Sequence, residues 1–158
     1  VEALATFIYS ESYEGGPAFT FYEPCAGDGS LISHAFKCKL FDVGASDIEP
    51  RQDWIKKKDA FELTDFDVAL ANYIVTNPPW DRKILHPMIE HFGKLKPTWL
   101  LFDSDWFFTK QAQEFKPYLQ KMVTVGRLKW IPDSKSVGFD NCAWYLFGDQ
   151  KVKFTKAY

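Results

Sequence analysis

The stretch from Tyr73 to Ser104 constrains the fold most. A short β-rich run, YIVTN (Tyr73–Asn77), stops at two adjacent prolines. KILHPMIEHFGKL (Lys83–Leu95) follows, with Leu85, Met88, Ile89, Phe92 and Leu95 on one helical face. TWLLFDS (Thr98–Ser104) is then almost wholly apolar. A parallel strand buried on both faces reads that way, and a helix between two strands is the usual crossover joining parallel neighbours. A chain that repeats this unit builds an open α/β sheet.

The rest of the chain repeats it. FTFYEP (Phe19–Pro24) reads as a strand that stops at a Gly-rich turn, CAGDGS (Cys25–Ser30). LISHAF (Leu31–Phe36) is a helical stripe with Ser30 as its N-cap. LFDVGASD (Leu40–Asp47) is a second strand ending at an acid, and WIKKKDAFEL (Trp54–Leu63) fits neither period. Pro87 is expected in the first turn of its helix, where a missing N–H matters least. KQAQEFKPYLQKM (Lys110–Met122) reads as a helix kinked at Pro117. VTVGRLKWIP (Val123–Pro132) and NCAWYLFG (Asn141–Gly148) flank the polar loop DSKSVGFD (Asp133–Asp140) and read as an antiparallel pair. The expectation is one α/β domain over residues 1–158. Its sheet is doubly wound, mostly parallel and Rossmann-like, with a C-terminal antiparallel hairpin.

Composition narrows the function classes. No apolar run approaches the ~18–20 residues of a membrane span. The N-terminus has no basic stretch leading into an apolar run, so no signal peptide is expected. Cys25, Cys38 and Cys142 are odd in number and lack CxxC spacing, which fits a reducing, intracellular setting. His34, His86 and His91 show no metal-ligand spacing, so no metal is expected. The net charge of −2 hides an asymmetry. Residues 1–79 hold 6 Lys/Arg against 13 Asp/Glu, whereas residues 110–158 hold 9 against 4. A basic C-terminal third suits a polyanion as well as it suits solvent.

Ligands of open α/β sheets bind beyond the C-terminal ends of the strands. Three informative stretches fall there: Glu23–Gly29, Asp47 and Asn77–Trp80, with Asp59 as a fourth. In EPCAGDG, Gly27 and Gly29 permit a tight turn and close approach of a ligand. The pattern is neither GxGxxG nor GxxxxGK[ST]. Asp28 within it repels phosphate and favours an ammonium or sulfonium. Asp47, at the end of the next strand, suits the two hydroxyls of a ribose. In Asn77-Pro78-Pro79-Trp80 the prolines donate no N–H and fix φ, so the loop is stiff. Trp80 then places a large apolar surface in that loop.

FYEPCAGDGSL, SDIEP, KKDAFEL and IVTNPPW resemble, in order and spacing, the amino-methyltransferases that use S-adenosylmethionine. Within them the chain looks most like small, bacteriophage-type adenine-N6 DNA methyltransferases. The resemblance covers residues 19–105 and, more loosely, Gly126–Phe147. It implies that Glu23, Pro24, Cys25, Ala26, Gly27 and Gly29 wrap the methionine part of the cofactor, with Asp28 near its ammonium. It implies that Asp47 holds the ribose hydroxyls and Ile48 packs on the adenine. Asp59 would accept from the cofactor's exocyclic amine, with Phe61 beside it. Asn77, counted on both the cofactor and acceptor sides, and the Pro78 carbonyl would accept from the two N–H bonds of the target amine. Pro79 would stiffen the loop and Trp80 would stack on a flipped-out base.

Candidate phosphate contacts are Arg82, Lys83, Arg127, Lys129, Lys135 and Ser136, with Lys151, Lys153 and Lys156 nearby in sequence. Asp103 and Asp105 either line the cleft or cap the next helix. The implied activity is methyl transfer to adenine N6 in DNA, inside a bacterial or phage-infected cell. The same loop also serves RNA adenines and protein glutamine amides, and a non-catalytic cofactor- or nucleic-acid-binding subunit is a third reading. Relatives carry an added target-recognition domain for which 158 residues leave no room. Target recognition would then be weak, or come from a partner or a second copy. VEALATFIYSESYEGGPA (residues 1–18) stands where relatives place a cofactor-closing element and does not match it.

Overall fold

The computed structural model describes residues 1–11, 19–128, 138–149 and 151. Among these, seven strands form one sheet: β1 (Thr20–Glu23), β2 (Phe41–Asp47), β3 (Lys56–Lys57), β4 (Tyr73–Thr76), β5 (Thr98–Asp103), β6 (Leu119–Arg127) and β7 (Asn141–Phe147). Their spatial order is β3-β2-β1-β4-β5-β7-β6. The first five are mutually parallel. β7 runs antiparallel between β5 and β6, so the closing antiparallel pair extends the sheet beyond β5, with its second strand on the inside and β6 at the edge. The chain winds outward from β1 to β3 and then returns to β4. Such a reversal opens a crevice at the strand ends, here between β1 and β4.

Helices cover both faces, as the unbroken apolar run of β5 requires. Trp99 and Leu101 point to one face, where α1 (Glu2–Glu11) and α2 (Ser30–Lys37) bring Leu4, Ala5, Ile8, Ile32 and Ala35. Leu100 and Phe102 point to the other, where α3 (Arg82–Leu95) brings Leu85, Met88, Ile89 and Phe92. β7 is buried from Cys142 to Phe147 because it too is covered on both sides. No described helix is long and apolar enough to cross a membrane.

Three local readings of the sequence change, and one element is added. Residues 2–11 form a helix, which packs against β6 and α2. The α2 cap is Gly29, at φ +79°, with Ser30 already inside the helix. Pro87 lies in the middle of α3 rather than its first turn. Its ring is exposed there, so the carbonyl that loses a helical partner can turn to water. Residues 110–122 are not a kinked helix. Gln111–Glu114 and Lys116–Tyr118 are short 3-10 turns, and β6 has begun by Leu119. Pro117 cannot continue an α-helical ladder, and Phe115 and Leu119 reach the core without one.

The long connection from β3 to β4 is pinned by one carboxylate. Asp67 Oδ2 accepts from Lys58 Nζ at 2.6 Å, Thr64 Oγ1 at 2.8 Å and Thr64 N at 3.0 Å. Burial pushes the Asp67 pKa up, but the bonds from Lys58 and Thr64 outweigh it and hold the group well below the usual carboxylate range. A depressed folded pKa gives stability that is present above the unfolded value of about 3.8 and is lost as pH falls further. Asp67→Asn is therefore expected to lower stability by about 1–3 kcal/mol at neutral pH. It should also flatten the acid limb of the stability curve. Denaturant titrations at pH 3 and pH 7 measure both effects, and equal losses at the two pH values would contradict the assignment.

Candidate cofactor and acceptor site

The glycine turn is built by its neighbours. Ala26 N–H donates to the Ser46 carbonyl at 3.0 Å, and Arg51 N–H donates to the Gly27 carbonyl at 2.9 Å. Asp47 Oδ2 accepts from Gly27 N–H and its Oδ1 accepts from Glu49 N–H, both at 2.8 Å. Asp47 thus locks the turn to the end of β2, and each oxygen keeps a lone pair for a ligand. Gly29 is required twice over: its φ is +79°, and a Cβ there would stand 2.5 Å from the Trp54 ring. Above Gly27, by contrast, a Cβ would meet nothing within 4 Å. Trp54, which the sequence left without a role, lies over the turn and is half-exposed. Its only sequence signal was an aromatic in a polar stretch just after the second strand.

The charges around the turn are negative. Asp28 is exposed, accepts from Ser30 N–H at 3.0 Å, and is held below its usual range chiefly by its bonds to Ser30. Glu23, at the tip of β1, is only 2% exposed, and its Oε2 has no hydrogen-bond partner. The Ser46 hydroxyl, near the end of β2, is also buried and unpartnered. Burial pushes the Cys25 thiol up to about 12, a contact with Thr76 pulling the other way, so it is no nucleophile at neutral pH.

Farther along the edge, Ile48 is 61% and Phe61 42% exposed. Two apolar side chains left open beyond strand ends suit the faces of a planar ring. Asp59 Oδ1 accepts from Phe61 N–H at 2.9 Å and caps the 3-10 turn Ala60–Glu62. Its second oxygen carries no such duty.

The Asn77–Trp80 loop follows β4 directly. Trp80 Nε1–H is shared between Asn77 Oδ1 at 3.1 Å and the Leu101 carbonyl at 3.2 Å. The ring packs partly buried against both core clusters. Trp80 is therefore a wall anchored to β5 as well as an apolar surface. Because an indole nitrogen only donates, its bond also fixes which end of the Asn77 amide is the oxygen. Trp80→Phe keeps a ring and deletes that donor. We expect it to lower stability by about 0.5–1.5 kcal/mol in thermal or denaturant unfolding. An unchanged midpoint would mean that the shared bond does not hold the loop.

Asp81 Oδ1 accepts from Lys83 N–H at 2.9 Å and caps α3. Asp103 Oδ1 accepts from Asp105 and Trp106 N–H at 2.8 and 3.1 Å, which settles it as a cap. Its Oδ2 pairs with Arg82. Arg82 is thus ion-paired with a carboxylate at the strand ends and stays partly exposed. Lys83 is exposed at the start of α3, and Arg127 is exposed at the end of β6 opposite Asn141. Lys151 lies over the Tyr118 ring at 5.6 Å, by the start of β6 and so at the opposite end of the sheet from the loop. Lys129, Lys135, Ser136, Lys153 and Lys156 lie outside the described residues.

No protein-family model and no curated protein sequence matches the chain. Solved structures do. A candidate RNA methyltransferase from Pyrococcus horikoshii superposes with a TM-score of 0.58 at 16% identity, over 95% of this chain and 82% of that one. A candidate class I S-adenosylmethionine-dependent methyltransferase from Listeria monocytogenes gives 0.56 at 12% identity, over 99% and 63%. The N-methyltransferase NodS from Bradyrhizobium japonicum gives 0.51 at 12%, over 96% of both chains. The chain has the Rossmann-like fold of these methyltransferases.

Proposed function

We propose that this chain is an S-adenosylmethionine-dependent N-methyltransferase whose acceptor is the exocyclic N6 amine of adenine in DNA. The observation that carries the reading is the meeting of two stretches on neighbouring strands. The acid-bearing turn Glu23–Gly29 ends β1, and Asn77–Trp80 ends β4, on either side of the chain reversal. The fold shared with methyltransferases supports it.

The residues present fit the cofactor. Open space over Gly27 admits a chain, and Asp28 and the buried Glu23 offer carboxyls to its cationic part. Asp47 keeps lone pairs for ribose hydroxyls, and Ile48 and Phe61 stand open for the adenine. S-adenosylmethionine, when bound, supplies a methyl group on an electrophilic sulfonium.

The chain's own task is to make a poor nucleophile attack. The lone pair of an adenine amine is delocalised into the ring. The Asn77 side-chain oxygen and the Pro78 carbonyl accept from its two N–H bonds and favour a pyramidal nitrogen with a localised pair. The two prolines keep the second acceptor in place at no further entropic cost. The amine proton leaves after attack, so no strong base is needed. Trp80 forms the apolar wall against which the base rests.

RNA adenine is the second reading, favoured by the naming of the Pyrococcus neighbour as a candidate RNA methyltransferase. DNA recognition would come from Lys83, Arg127 and a partner or second copy. Incubation with methyl-labelled cofactor and matched DNA, RNA and protein acceptors tests the proposal. Label on DNA adenine supports it, and label confined to RNA or protein moves the acceptor.

A further inference from the structure

Glu23 is out of keeping with its surroundings. A charged carboxylate is rarely buried without a partner, because desolvation costs several kcal/mol. Glu23 is 2% exposed, its Oε2 has no donor, and it makes no ion pair among the described residues. The groups acting on it are carboxylates. Asp42 and Asp47 come from β2 on one side and Asp28 from the turn above. β4, on the other side, carries no charged residue between Tyr73 and Thr76. α2 places His34 and Lys37 in its last turn, away from the strand tip. Cys25 beside it holds its own proton. Arg51 acts on Asp28, not on Glu23.

We propose that Glu23 is a neutral carboxylic acid in the cofactor-free protein and gives its proton to solvent when the cationic cofactor binds. The inference rests on the cofactor reading above but not on the identity of the acceptor. The O–H bond of the acid breaks, the proton passes to buffer, and the carboxylate left behind faces the ligand's positive charge. Burial first, and then Asp42, Asp47 and Asp28, hold the pKa well above 4.5, which is consistent with the neutral form. An ionised Glu23 would add a buried charge to three carboxylates, whereas a neutral one waits for the cation that stabilises its charge. Cofactor capture is then linked to pH, and affinity rises with pH up to the pKa of Glu23 in the empty protein.

Calorimetry of S-adenosylmethionine binding near pH 7, in buffers of low and high ionisation enthalpy, tests this on the full chain. The wild type should show a buffer-dependent enthalpy that corresponds to release of up to about one proton per cofactor. Glu23→Gln, which keeps the shape and cannot ionise, should lose that release; comparing the two proteins cancels any proton taken up by the ligand's own amine. Equal proton release in both, or none in the wild type, overturns the proposal and leaves the methyltransferase reading standing. No saturable binding at all would overturn the cofactor reading instead.

The empty protein gives a second readout. Its raised folded pKa places the stability from Glu23 below about pH 4.5 and removes it as pH rises, so wild-type stability should fall with pH relative to Glu23→Gln. Parallel stability curves would contradict a neutral Glu23 whatever the ligand.

Discussion

Asn77→Ala should reduce methyl transfer by roughly 10²–10³-fold, the range seen when one preorganised hydrogen-bonding partner of a reacting group is removed. In the proposed mechanism the side-chain oxygen is one of the two acceptors that localise the lone pair of the target amine. Its loss leaves the Pro78 carbonyl alone, and the amine relaxes toward the planar, delocalised form. The rest of the site should survive. Trp80 Nε1–H keeps the Leu101 carbonyl as acceptor, so the loop stays tied to β5. A stability loss under about 1 kcal/mol is expected, as for one shared neutral hydrogen bond. Initial rates with labelled cofactor, beside unfolding curves of the same preparation, separate the two effects. A rate within tenfold of wild type would mean that Asn77 is not an acceptor for the reacting amine.

Trp106→Ala should have the largest effect on stability, about 3–5 kcal/mol. Trp106 is fully buried and its ring lies within 5.1–6.1 Å, centre to centre, of Phe102, Tyr145, Phe147 and Phe115. Its Nε1–H donates to His86 Nε2 at 3.0 Å, so truncation opens a cavity and also orphans an acceptor. Burial first, and then Arg82, lower the His86 pKa, which keeps the ring neutral and able to accept. A typical domain has only about 5–15 kcal/mol in total, so the variant would be marginal at 37 °C. The melting temperature should fall by roughly 10 °C or more for a chain of this size. A loss under about 1 kcal/mol would mean that Trp106 does not hold the 3-10 segment to the sheet.

What was legible in the sequence followed from periodicity. β4, α3 and β5 could be read because each carries a full period of apolar residues and ends at a turn signal. The turn at Cys25–Ser30 and the Asn77–Trp80 loop could be read because Gly and Pro act locally on the backbone. The misreadings have local causes as well. Ala112, Phe115 and Leu119 sit at i, i+3 and i+7, a spacing that two 3-10 turns and a strand start satisfy as well as a helix does. α1 is short, buries Leu4, Ala5 and Ile8, and takes its place by packing on β6 and α2. β3 is two residues long and exists through its register with Ser46 and Asp47.

Within the site, the sequence named the groups but not their links. The pairing of Arg82 with Asp103, of Asp47 with the Gly27 N–H and of Trp80 with Leu101 depends on which strand ends become neighbours. Trp54 over Gly29 depends on the same thing. These contacts cross about 20 residues or more in most cases, beyond the reach of any local pattern. They also add contacts to residues the sequence had named: Arg82 pairs with Asp103, and Trp80 is tied to β5.

The strand-end site is proposed to methylate an adenine amine. The most direct test is to incubate the chain with methyl-labelled S-adenosylmethionine and adenine-containing DNA, digest the DNA to nucleosides and identify the labelled product by mass spectrometry. Labelled N6-methyladenine that disappears with Asn77→Ala is the expected result. Saturable cofactor binding with no label on any adenine, or label that Asn77→Ala leaves unchanged, would contradict it.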